Sequence, residues 1–121
     1  MNYEKITKSA EEDIEEFFLE EFGWDCKDEF SKRLNEYRLE VENDKYHCVK
    51  AEVYHTKKVI RINEYYNEDM EILLCTMVHE LSHVLSNKNV DRDDFVEEGI
   101  IELLTYKILY KKVSQKTLAK Y

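Results

Sequence analysis

The stretch from Asn67 to Asn87 constrains this chain most. Leu73, Leu74, Met77, Val78, Leu81, Val84 and Leu85 place apolar groups on most sides of a helix, so that helix has to be buried centrally. A chain of 121 residues can build one modest core, and everything else must then pack around this element. Asn67 is placed to cap the helix, with Glu68, Asp69 and Glu71 in a first turn where the helix dipole favours acids. The same buried helix carries His79, Glu80 and His83. Polar groups in such a place need partners, or they cost stability.

The rest of the chain supplies the surrounding layers. From Ser9 to Phe22, Ala10, Ile14, Phe17, Phe18 and Phe22 recur at helical spacing between acidic residues, with Gly23 as the stop. Asp25 can cap a shorter helix towards Leu34. Tyr37, Leu39 and Val41 alternate with charges as in a half-buried strand ending at Asn43-Asp44. A second strand is expected within Tyr46 to His55, and a third through Val59 to Ile62 after a turn near Thr56-Lys57. The short connections predict an antiparallel meander. Asp94 with Glu97 offers a capping box for a helix from Phe95 to about Lys112, and the basic segment from Ser114 to Tyr121, together with Lys107, Lys111 and Lys112, is expected to complement helix C-termini and the acidic first helix. The expected fold is α+β in one domain, residues 1–121.

Charge and cysteine usage exclude several function classes. A net charge of -9 disfavours nucleic acid, whose non-specific binding relies on Lys and Arg displacing counterions. No apolar run is long enough to span a bilayer and the N-terminus lacks a secretory signature, so no membrane partner is expected and a cytoplasmic location is. Cys26, Cys48 and Cys75 are odd in number, with no C-x-x-C pair, and are read as reduced thiols.

His79-Glu80-Leu81-Ser82-His83 has the form H-E-x-x-H. Residues four apart on a helix project the same way one turn above another, so two imidazoles can hold one Zn²⁺. Glu80 lies on an adjoining sector, where it can reach a metal-bound water as a general base without being a ligand. A catalytic zinc needs a third protein ligand and an open position. The H-E-x-x-H-x-x-G-x-x-H pattern is absent, since Ser86 and Asn89 stand where Gly and His would be, and no histidine follows His83. A glutamate on the next helix remains, and Glu98 is preferred to Glu97 because of Gly99. A glycine inside a helix costs about 1 kcal/mol relative to alanine, and its lack of a side chain would let this helix approach the first one closely. Glu102, one turn on, could accept the spare ring N–H of His79.

With His79, Glu80, His83, Glu98, Gly99 and Glu102, the region from about 67 to 110 resembles the gluzincins, thermolysin-like zinc peptidases, and especially their minimal single-domain forms, the minigluzincins. The resemblance implies zinc held by His79, His83 and Glu98, general-base chemistry at Glu80 and a supporting carboxylate at Glu102. It implies a zinc metallopeptidase acting on a peptide or protein substrate, in a zincin-like fold where an edge strand above the cleft pairs with extended substrate. The larger gluzincins have a C-terminal subdomain for which this chain has no counterpart. Candidates for an oxyanion-stabilising donor are Tyr106, Tyr65, Tyr66, His47, His55 and Arg61, with none preferred. Cys75, one turn before His79, is a possible thiolate ligand but reads first as a small core residue. Two further readings are a zinc-stabilised interaction module without activity, which predicts a closed site using Cys48 or Cys75, and a latent peptidase covered by its N-terminal segment.

Overall fold

The computed structural model describes residues 2–86 and 95–121. Its elements are α1 (Tyr3–Phe22), α2 (Lys27–Leu34), β1 (Arg38–Glu42), β2 (Ala51–Tyr54), β3 (Val59–Asn63), a single 3₁₀ turn (Glu64–Tyr66), α3 (Met70–Ser86), α4 (Phe95–Leu109) and α5 (Gln115–Lys120). The fold is α+β, five helices with one three-stranded sheet among the described residues. Among those residues no helix is long and apolar enough to cross a membrane.

Helix α1 begins earlier than its apolar spacing suggests, because Asn2 caps it by accepting from Lys5 N–H. It ends at Gly23, whose φ of 66° lets its N–H turn back to the Leu19 carbonyl. Asp25 Oδ1 accepts from Lys27 N–H at the start of α2. Helix α3 is the centre of the molecule, with α1, α2, β2, α4 and α5 all packed on it. That accounts for its lack of a polar face: Leu73, Cys75, Met77, Val78 and Leu81 are fully buried. Ile6, Ala10 and Ile14 of α1, Phe30 of α2 and Ile108 and Leu109 of α4 close around them. Arg33 of α2 donates to the Leu85 carbonyl near the C-terminal end of α3, satisfying one of its open acceptors. Lys112 binds Asp13 at 3.0 Å and Glu16 at 3.3 Å, so part of the basic tail does complement the acidic first helix.

The meander is corrected. The strand order is β1-β3-β2, with β1 parallel to β3 and β2 antiparallel to it. Strand β3, the most apolar of the three, takes the central place, and β1 with its alternating charges goes to an edge. A buried asparagine locks this arrangement. Asn63 Nδ2 donates to the carbonyls of Asp44 and His47, and its Oδ1 accepts from Asp44 N–H, tying the β1–β2 connection to the end of β3. The second strand is therefore short, and residues 46–50 belong to that connection.

The helix cap is corrected as well. Asp69, not Asn67, accepts from Ile72 N–H, and Glu68 and Asp69 precede the first turn. Asn67 is buried, donates to the Lys50 and Asn63 carbonyls and accepts from Thr76 Oγ1 at 2.6 Å, so it fastens the sheet to α3. The capping box expected at Asp94 lies outside the described residues; α4 runs to Leu109 and a turn separates it from α5.

Candidate metal centre

His79, Glu80 and His83 all lie on the buried part of α3. The two imidazoles project from successive turns with ring centroids 5.0 Å apart. Glu98 reaches across from α4 and meets both: its Oε2 is 3.2 Å from His79 Nε2 and its Oε1 is 2.8 Å from His83 Nε2. The two Nε2 atoms are 3.3 Å from each other. Donors on one metal at bond lengths near 2.0–2.1 Å in a tetrahedron would be about 3.3 Å apart. The three observed separations, 2.8 to 3.3 Å, are of that order; they run through both oxygens of Glu98, one towards each imidazole, so the three side chains converge on one point without yet sharing a single carboxylate oxygen. Among the described residues this trio is the group whose donor atoms converge tightly enough to hold a metal ion.

The outer nitrogens of both rings point at further carboxylates. His79 Nδ1 is buried without a hydrogen-bond partner and lies 3.6 Å from Glu102 Oε2. That distance is too long for a hydrogen bond, but the pairing is the one expected from the sequence. His83 Nδ1 lies 3.7 Å from Glu97 Oε1, and Glu97 also accepts from Ser86 Oγ at 2.8 Å. Glu97, the rival for the third ligand, thus stands behind His83 as Glu102 stands behind His79.

Gly99 does not mark a close approach of α4 to α3. Among the described residues a Cβ added there would meet nothing within 4 Å, because Gly99 lies on the exposed side of α4. Glu98 reaches the histidines without any close approach at its neighbour.

Glu80 borders a cavity of about 230 Å³ that it shares with Lys50, Ala51, Thr76, His79, Glu98, Glu102 and Tyr121. Burial, reinforced by the charges of Glu98, Glu52 and Glu102, raises its carboxyl to about 8. Burial and the charge of His83 lower His79, with Glu98 opposing them. For Glu102, burial and then Glu98 raise the carboxyl, against the pull of Lys50 and Tyr121. The site thus gathers the carboxyl groups of Glu80, Glu98 and Glu102 around His79, whose imidazole is held towards its neutral form, a donor set suited to a cation.

Two residues of this cavity were not anticipated. Lys50 Nζ donates to the Tyr121 main-chain oxygen at 2.8 Å and lies over its ring, and that ring is 6.5 Å from His79. Both arrive from sequence-distant, polar segments, where no periodicity marks them. None of the six donor candidates borders the cavity. His55 is bonded to the Tyr37 hydroxyl, His47 lies between Glu42 and Glu52, Arg61 pairs with Glu40 and Tyr66 donates to the Lys45 carbonyl. Tyr65 packs edge-on against Tyr66, and Tyr106 against Tyr121. Cys75 belongs to the core, its thiol pushed up to about 11 by burial, and Cys48 is exposed.

No protein-family model, curated protein or solved structure matches this chain.

Proposed function

We propose that this chain is a zinc-dependent hydrolase of zincin-like build, close in plan to a minimal gluzincin, and that it cleaves peptide bonds. The observation that carries the reading is the convergence of His79 Nε2, His83 Nε2 and one oxygen each way of Glu98 at tetrahedral-edge distances, with Glu80 buried in the adjoining cavity. Two imidazoles and one carboxylate are three protein ligands, which leaves a fourth position open. Held by these residues, zinc supplies a Lewis acid that polarises the scissile carbonyl and makes water nucleophilic near neutral pH.

The chain's own side chains do the rest. Glu80 accepts a proton from the attacking water at its carboxylate and passes it to the departing amine nitrogen. Glu102 and Glu97 stand behind His79 and His83 on their Nδ1 sides, where a small closure of either pair would keep its Nε2 turned towards Glu98. Strand β2 is a sheet edge beside the cavity, and an extended peptide can pair with it.

The test is metal analysis followed by peptide cleavage. Protein purified without chelator should carry one zinc per chain, lost on His83→Ala or Glu98→Ala. Glu80→Gln should retain the zinc while its turnover of a quenched fluorescent peptide library drops by 10² or more. Wild-type turnover in Glu80→Gln would remove that residue from the mechanism. Protein that stays zinc-free after zinc supplementation would return His79 and His83 to the core as hydrogen-bonded histidines.

A latent state is favoured by one observation. Tyr121, held by Lys50, forms part of the cavity wall, and among the described residues none from the N-terminal helix does. Tyr121→Ala should then raise peptide turnover without changing zinc content; unchanged turnover would mean that Tyr121 is no obstacle to substrate.

A further inference from the structure

The outer face of α4 has no explanation within the single chain. At helical spacing Val96, Gly99, Ile100, Leu103, Tyr106 and Lys107 fall within about one third of the helix circumference, a stripe roughly 17 Å long that Tyr110 extends in the turn just after the helix. The opposite face is the buried one, carrying Ile101, Thr105 and Ile108. A solvated helix face is expected to be polar, yet this one has a single charge, and Ile100, Leu103 and Tyr110 are each more than half exposed. The stripe continues across a groove of about 830 Å³ to α1, where Phe22 is also more than half exposed. Contiguous apolar surface of this kind marks an interaction site. Gly99 sits inside the stripe, and among the described residues nothing lies within 4 Å of a Cβ built there. A helix-interior glycine is unfavourable for the isolated helix and becomes useful where another backbone comes close.

Charge identifies the occupant. Helices α1 and α4 run antiparallel: Lys112 pairs with Asp13 and Glu16, while Phe18 and Trp24 share a cavity with Val96 and Ile100 at the other end. The groove therefore has exposed Lys107 and Lys111 towards the C-terminal end of α4 and exposed Glu20 and Glu21 beside its N-terminal half. Among the described residues none of these four forms an ion pair within the chain. Two α4 helices packed antiparallel about Leu103 set Tyr110 of one copy opposite Val96 of the other and Lys107 opposite Gly99. The same operation carries each Lys107 and Lys111 to the partner's acidic end of the groove. The surface is thus complementary to itself under a twofold axis, as an isologous interface requires.

We propose that the outer face of α4, with the C-terminal end of α1, is a homodimer interface centred on Leu103. Sedimentation velocity of the full chain over a concentration series tests it. The wild type should sediment as a dimer at tens of micromolar, in the range of interfaces of ordinary size. Leu103→Glu places two charges against each other on the axis and should give monomer, with far-UV circular dichroism and zinc content unchanged. A second set does not depend on the apolar centre. Lys107→Glu with Lys111→Glu should weaken association by about tenfold or more, and adding Glu20→Lys and Glu21→Lys in the same chain should restore it. A wild type that remains monomeric up to about 1 mM overturns the proposal and leaves the face to a partner of different sequence. Association untouched by Leu103→Glu, or a charge reversal that the second pair does not rescue, overturns it equally. None of these readouts depends on hydrolysis, so failure here and failure of the proposed reaction are separate results.

Discussion

His79 Nδ1 and Glu102 Oε1 are both buried and both without hydrogen-bond partners, and the residues face each other with Nδ1 3.6 Å from Oε2. Buried polar atoms are usually satisfied, so this opposed pair reads as a contact that closes when His79 Nε2 is drawn onto a cation. Glu102→Gln should therefore weaken zinc binding by roughly 10- to 100-fold, measured by competition with a chromogenic chelator. An affinity within twofold of wild type would make Glu102 a bystander. A second carboxylate with an unpartnered oxygen lies away from the site. Burial, followed by the charge of Glu11, raises Glu15 to about 7, and its Oε1 also lacks a partner. A folded-state value above the unfolded one means stability that is present in acid and lost as pH rises through about 7. Glu15→Gln removes that loss. Discounted for the solvent that reaches this side chain, the variant should be more stable than wild type by about 1 kcal/mol at pH 8 and by little at pH 4, as read from urea melts.

At the scale of elements, the junction between the sheet and α3 depends on Asn67. Its amide joins the Lys50 and Asn63 carbonyls, and its oxygen takes the Thr76 hydroxyl. Asn67→Ala leaves these buried groups unpaired and should cost about 3 kcal/mol in urea unfolding, well above the cost of a lost surface cap. What the sequence disclosed follows from the range of each interaction. Helix α3 and the His79, Glu80, His83 word are local, because their spacing is fixed by the helix that carries them. Glu98 was reached through chemistry, by elimination of other donors, and it lies against both imidazoles, while the packing reason attached to Gly99 did not hold. The strand order was hidden because alternation marks a strand but not its neighbour. Asn63 decides it through bonds to Asp44 and His47, and no turn-residue signal reports such a contact. Lys50 and Tyr121 were hidden for the same reason, being brought together over a separation of 71 residues.

For the molecule as a whole, the candidate ligands join the central helix to α4. A metal held by His79, His83 and Glu98 would therefore cross-link two elements in the folded chain only, and binding restricted to the folded state stabilises it by mass action. At free zinc 1,000-fold above the dissociation constant this amounts to about 4 kcal/mol, roughly a 15 °C rise in Tm for a domain of this size. The rise should grow with the logarithm of zinc concentration and reverse on adding chelator. His83→Ala and Glu98→Ala should abolish it, and Glu80→Gln should leave it intact, since Glu80 borders the cavity without joining the ligand trio. Leu103→Glu should also keep the full zinc-dependent shift at a fixed, low protein concentration, because its side chain lies on the opposite side of α4 from the buried Ile101 and Thr105. A melt insensitive to zinc would remove the metal from the site whatever the oligomeric state. A shift that disappears in Leu103→Glu would instead mean that the metal site is assembled only in the dimer.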